Sequence, residues 1–271
     1  MDRRSAGTRR VTTRLCRDTS ARNVIGTSSE GVVLTPIFEQ VALTGSTNAD
    51  LLARITSGAP EGLWLRADAQ DKGRGRLGRV WESKSGNLFT STIVRSRPLD
   101  PPLSSLAFVT ALAVVDTIWE IAPEIVIKIK WPNDILSANG EKLSGMLLER
   151  SAEAVVIGVG LNLAHHPDGL DRPVTDLTTL GVIPPHPQAA CEILANAFDV
   201  WLRRWREGGL TLVLRAWQKA AHPVGTAIAV NLPSGESLEG LYSGLSVDGT
   251  LQLRLADGTI RGIHAADIFL I

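Results

Sequence analysis

Apolar and polar positions run along the chain in two rhythms. Pro36 to Leu43, Gly62 to Ala69 and Leu88 to Val94 are short β-rich runs that read as strands. Between the first two, Gly45-Ser46-Thr47-Asn48 opens a helix through about Thr56, with a Ser or Thr N-cap, Asp50 in the first turn and apolar Leu51, Leu52 and Ile55. Ser104 to Glu120 is apolar nearly all round, which predicts a buried helix. Ile125 to Trp131, Leu143 to Glu149 and Ala154 to Leu163 follow as strands, the last a continuous apolar run suited to cover on both faces. Pro184, Pro185 and Pro187 break the chain. Gln188 to Arg206 then repeats apolar residues every three or four positions, and Leu210 to Ala220 makes a shorter helix.

The rhythm changes near Ala221 to Pro223. Thr226 to Leu232, Leu238 to Ser243, Thr250 to Ala256 and Thr259 to Ile263 are short alternating strands separated by Ser-Gly and Asp-Gly pairs. Asp-Gly is a strong hairpin signal, so this end reads as a small β-barrel or sandwich. Residues 1–35 carry no period and read as a disordered basic extension. The expected organisation is α+β: residues 36–221 as a mixed sheet with packed helices, and residues 222–271 as a small β domain.

Composition sharpens this picture only where charge is unevenly placed. The 271 residues hold 28 Lys plus Arg against 28 Asp plus Glu, which argues against a generally cationic nucleic-acid binder. Residues 1–22 nevertheless carry seven arginines against Asp2 and Asp18, a surplus of five, and Asp71 to Arg79 carries a surplus of three. The tail has the Arg, Ser and Thr of a transit peptide, but its acids and missing amphipathic stripe depart from that pattern. Cys16 and Cys191, the two cysteines, make neither a disulfide framework nor a metal pattern. With no run of 18 apolar residues in the sequence, the expectation is a cytoplasmic protein.

Four segments carry candidate chemistry. In Gln70-Asp71-Lys72-Gly73-Arg74-Gly75-Arg76-Leu77-Gly78-Arg79 the glycines satisfy the dinucleotide pattern G-x-G-x-x-G. That pattern requires a helix directly after the loop and an acid about twenty residues on. Here Val80, Trp81 and Ser85-Gly86-Asn87 follow, and no acid lies between Glu82 and Asp100, which rejects it. The alternating glycines and arginines instead suit close approach to a phosphate or carboxylate, because glycine permits contact and arginine offers a fork of donors. Lys130-Trp131-Pro132-Asn133-Asp134 ends a strand in a turn. Lys142-Leu143-Ser144-Gly145-Met146-Leu147-Leu148-Glu149 puts a lysine at the mouth of a strand, followed by a small Ser-Gly pair. Gly158-Val159-Gly160-Leu161-Asn162 places two glycines and an Asn in a buried strand; a ligand or a tightly packed neighbour would explain them. A set made of Arg, Lys, Asn, Asp and Gly suits phosphoryl or nucleotidyl chemistry by positioning and charge neutralisation.

Taken in order with Ser46-Thr47-Asn48, these motifs resemble the biotin protein ligases over about residues 37–271. The resemblance implies a mixed α/β catalytic domain, an SH3-like C-terminal β domain, and the monofunctional form without a DNA-binding domain. It implies that biotin and Mg-ATP give biotinyl-5′-AMP, and that a lysine of a biotin carboxyl carrier domain is the acceptor. By position, Lys142 and Arg74 would be catalytic. Ser46, Thr47, Asn48, Gln70, Arg74, Gly75, Arg76, Lys142 and Gly145 would bind biotin. Arg76, Arg79, Trp81, Lys130, Asn133, Asp134 and Asn162 would face ATP, with Asp134 and Asn162 the candidates near Mg2+. Met146 replaces the usual Ile, and Val174-Thr175-Asp176-Leu177 carries Asp where the family has Ser, which leaves Thr175 without an assigned role. The expected partner is the biotin carrier of an acyl-CoA carboxylase, with no DNA and no membrane. A monomer and a weak homodimer both remain open. The alternatives are a lipoate or octanoate ligase or transferase of the same fold, and a non-enzymatic nucleic-acid binder.

Overall fold

A seven-stranded sheet takes its first strand, β1 (Ile37–Thr44), as an edge. Helix α1 (Thr47–Ile55) returns the chain so that β2 (Leu63–Gln70) runs parallel to β1. The structure, a computed structural model, describes residues 35–151, 154–170 and 172–271; residues 1–34 of the expected extension, Cys16 among them, lie outside these. Next come β3 (Leu88–Arg95) and helix α2 (Leu106–Ile121). The rest of the sheet is β4 (Ile127–Lys130), β5 (Asp134–Ser137), β6 (Lys142–Ser151) and β7 (Ala154–Leu161). The order across the sheet is β1-β2-β3-β7-β6-β5-β4, antiparallel beyond the first pair.

The two-residue period of the strands divides the core into two layers. Leu63 and Leu65 of β2, Ile93 of β3 and Ala154 and Val156 of β7 meet Leu51 and Ile55 of α1 on one face. Trp64, Leu88 and Val94, with Val155, Ile157 and Val159, join α2 and the long helix at Pro187–Ala220 on the other. Strand β7 is therefore covered on both sides, as its unbroken apolar run requires. Helix α2 is buried on nearly every face and has no side-chain cap. Together with the 3₁₀ turn before it (Leu103–Ser105), α2 is long and apolar enough to cross a membrane, but two-thirds of this stretch is packed inside the core.

Helix α3 (Pro187–Ala220) bends at Gly209, whose φ of 72° and ψ of 177° separate two helical segments, the break that the two apolar periods predict. After it, β8 (Ala227–Asn231), β9 (Ser237–Leu245), β10 (Leu251–Arg254), β11 (Ile260–Ile263) and β12 (Asp267–Leu270) form an antiparallel sheet, in the order β11-β10-β9-β8-β12. Two strands of the structure are absent from the sequence reading: β5, four residues beyond the Pro132 turn, and β12, which no turn pair announces. Both sheets belong to one compact unit, Leu34–Ile271.

Candidate functional site

One cavity of about 770 Å³ gathers most of the candidate residues. Its wall is made by the start of α1, the arginine loop, the Lys130–Asp134 turn, the first half of β6, the glycines of β7, Leu170, Arg172, Pro173 and β12. Of the residues singled out above, Ser46, Thr47, Asn48, Gln70, Arg74, Gly75, Arg76, Arg79, Trp81, Lys130, Asn133, Asp134, Lys142 and Gly145 all line it. Asn162 does not. Its side-chain amide donates to the Thr175 carbonyl at 2.9 Å, which ties the segment after β7 in place and removes Asn162 from the wall.

The α1 end is built by a cap. Ser46 is extended, at φ −163° and ψ 126°, and its hydroxyl accepts from the Ala49 amide. That fixes Thr47 and Asn48, whose polar groups face the cavity and are satisfied in a chain. The Thr47 amide and hydroxyl donate to Gln70 Oε1 at 2.9 and 3.2 Å. The Thr47 and Ser91 hydroxyls share a bond of 2.7 Å, and Ser91 Oγ donates to Asn48 Oδ1 at 2.6 Å. Asn48 Nδ2 donates to Glu149 Oε2 at 2.8 Å.

The glycines serve the site's own side chains before any ligand. A Cβ on Gly158 would stand 2.3 Å from Asn48 Oδ1, and one on Gly160 would stand 2.5 Å from the Trp81 ring. A Cβ on Gly145 would meet both Lys142 and Trp81 at 2.9 Å, and one on Gly73 would stand 2.3 Å from the Trp81 carbonyl oxygen. Close approach is what these positions provide, as glycine in a strand suggests, but Asn48 and Trp81 are what approaches. Gly78 meets the other need for glycine, a left-handed backbone at φ 73°.

The charges are concentrated and partly answered. Lys142 and Asp134 form a buried ion pair across the β5–β6 hairpin, with Lys130 Nζ 3.5 Å from the other carboxylate oxygen. Burial works against the Asp134 charge, but Lys142 and then Lys130 outweigh it and hold the carboxyl below the ordinary aspartate value. Burial also pushes the Lys142 ammonium down; Asp134 opposes this, while Arg172 and Lys130 add to it. The Lys142 ammonium lies 5.3 Å from the centre of the Trp81 ring. In the loop, Arg76 donates to Asn133 Oδ1 at 3.1 Å, Arg79 pairs with Asp267 of β12, and Arg74 stands 3.4 Å from Glu149 Oε1. Among the described residues, six cations line the cavity (Arg74, Arg76, Arg79, Lys130, Lys142 and Arg172) against two carboxylates, Asp134 and Asp267. Such a wall attracts anions, and its low-dielectric parts attract them strongly.

Residues 41–162 match the Biotin/lipoate A/B protein ligase family, and residues 225–271 match the Biotin protein ligase C terminal domain. Over 241 residues the chain is 35% identical to the Biotin--[acetyl-CoA-carboxylase] ligase of Mycobacterium tuberculosis, covering 85% of this chain and 88% of the relative.

The chain belongs to the biotin protein ligase family.

Among biotin protein ligases of known structure, the Aquifex aeolicus protein in complex with biotin and ATP superposes with a TM-score of 0.77 at 24% identity, covering 87% of this chain and 99% of that one. The Leishmania major ligase in complex with biotinyl-5-AMP superposes with a TM-score of 0.63 at 27% identity, covering 86% and 100%. The structure also gives parts in the site to residues that the sequence reading left without a role. Arg172 and Asp267 line the cavity, and Ser91 and Glu149 hold its wall residues. Asp267 lies on an unrecognised strand, and Ser91 lies inside an ordinary strand pattern, so neither carried a signal. Asp176, the departure from the family pattern, is buried: it accepts from the Thr179 amide at 2.6 Å and pairs with His166 at 2.5 Å, so it shapes the turn after Thr175.

Proposed function

We propose that this cavity brings the carboxylate of biotin and the α-phosphate of Mg-ATP together. The chain is an ATP-dependent biotin ligase. It activates biotin as biotinyl-5′-AMP and transfers it to a lysine of a carboxylase's biotin carrier. The observation that carries the residue roles is the convergence of the ordered motifs on a single cation-rich wall.

Two anions repel, so the protein's contribution is cationic and positional. Thr47, Asn48 and Gln70 present a hydrogen-bonded polar end for the ureido group. Lys142 holds the carboxylate oxygen as it attacks phosphorus and shares the charge that develops on the phosphate. Arg74 and Arg76 lie over the intermediate, and Arg79 and Lys130 face the departing pyrophosphate. In the second half the carrier lysine, as a free amine, attacks the acyl carbon; AMP leaves with the bonding pair, and the amine's proton is lost to solvent.

Magnesium fits as part of the nucleotide substrate. No group of three metal-ligating side chains exists among the described residues, and Asp134 already answers two lysines. Magnesium ordinarily keeps several waters and binds through phosphates with one or two carboxylates. The chain would work in the cytoplasm without contacting DNA. Mixing enzyme, Mg-ATP and an apo carrier domain with either biotin or lipoate tests this reading: biotin yields a carrier heavier by one biotinyl group, and lipoylation without biotinylation would overturn it.

A further inference from the structure

Glu149 closes the Lys142–Glu149 motif with no role assigned to it, yet it joins two parts of the site. It lies on β6 with its side chain a quarter exposed. One carboxylate oxygen accepts from Asn48 Nδ2 at 2.8 Å; the other stands 3.4 Å from Arg74 Nη2. Through Asn48, Ser91, Thr47 and Gln70, the hydrogen-bond chain described above returns to the base of the arginine loop, where Gln70 Nε2 donates to Ser83 Oγ at 3.0 Å. The middle of the loop and its base are thus both fastened to the polar end of the cavity.

We propose that Glu149 is a placeholder carboxylate. It occupies Arg74 while the cavity is empty and yields it to the carboxylate of biotin when biotin binds. The inference rests on the function proposed above and makes Glu149 a positioning residue. Arg74 is nearly half exposed, and an ion pair at such a surface is worth little, so it is made and broken easily. Exchanging one carboxylate for another keeps the guanidinium paired throughout, and Glu149 keeps its Asn48 hydrogen bond after the exchange. Because Glu149 competes for Arg74, it opposes biotin binding modestly while holding the empty loop down.

The Glu149→Gln variant separates these roles. Its amide oxygen still accepts from Asn48, so the polar chain is kept while the charge is lost. Limited trypsin digestion, with the cut bonds located by mass spectrometry, should show cleavage after Arg74 and Arg76 at least threefold faster than wild type without biotin. Saturating biotin should restore wild-type protection. KM for biotin should fall several-fold, with kcat and KM for ATP within twofold of wild type. Glu149→Asp, which keeps the charge, should lie between the two in loop cleavage. Unchanged cleavage and unchanged KM for biotin in Glu149→Gln would overturn the placeholder role, as would a fall in kcat with KM for biotin intact. If biotin fails to protect the loop of the wild-type protein, the failure belongs to the functional reading instead.

Discussion

Lys142 shows what one residue is made to do. Its ammonium is buried, faces Asp134, and lies against the Trp81 ring. Burial lowers its affinity for a proton, so it becomes neutral at lower pH than a solvated lysine, whose ordinary value is 10.5. A neutral amine cannot neutralise the developing phosphate charge. The alkaline limb of kcat/KM for pyrophosphate release, which reports the free enzyme, should therefore fall below pH 10.5. In Lys142→Arg any remaining activity should lose that limb, because a guanidinium stays charged. Lys142→Ala should slow adenylate formation by about 100- to 1,000-fold, the usual cost of removing one stabilising donor; a wild-type rate would refute its assignment. Lys142 and Asp134 were legible as motif residues, but their pairing was not. They are eight positions apart and meet only because β5, unrecognised in the sequence, turns back on β6.

At the scale of elements, β7 was read correctly as a strand covered on both faces, and its glycines were correctly read as odd. What they make room for could not be read, since Asn48 and Trp81 come from an α1 turn and a loop far away in sequence. Gly160→Ala tests the arrangement. The new Cβ would press on the Trp81 ring, which would have to leave its place beside Lys142. Overpacking of this kind costs about 1–3 kcal/mol. Biotin-dependent ATP turnover should drop at least tenfold while the variant still unfolds in one cooperative transition; full activity would show that Trp81 need not stay where it is. The Asn48 amide, by contrast, depends on Gly158, so the two glycines serve different ends of the cavity. The two halves of α3 were readable because its apolar period stops and restarts around Gly209, whereas β12 was missed because four residues without a turn signal carry too little pattern.

At the scale of the whole molecule, the cavity is shared by two sheets. Strand β12 supplies Asp267 to Arg79, and the Ile268 carbonyl accepts from Lys130 Nζ at 3.2 Å. Trp131 Nε1 donates to the Gly249 carbonyl at 3.3 Å, which fastens the turn of the larger sheet to the smaller one. The C-terminal sheet therefore helps build the wall that the proposed function assigns to the nucleotide. Asp267→Asn should raise KM for ATP several-fold with little change in KM for biotin, measured by steady-state pyrophosphate release; an equal rise for both substrates would place β12 elsewhere in the mechanism. The zero net charge of the chain hides this organisation, because the sum does not show that six cations converge on one wall.

On the proposed function, this wall joins biotin's carboxylate to the α-phosphate of ATP before any carrier is present. Isotope exchange between pyrophosphate and ATP, measured without carrier protein, tests it most directly. Exchange should require biotin and Mg-ATP together and should nearly disappear in Lys142→Ala. Exchange that proceeds without biotin, or none with both substrates present, would contradict it.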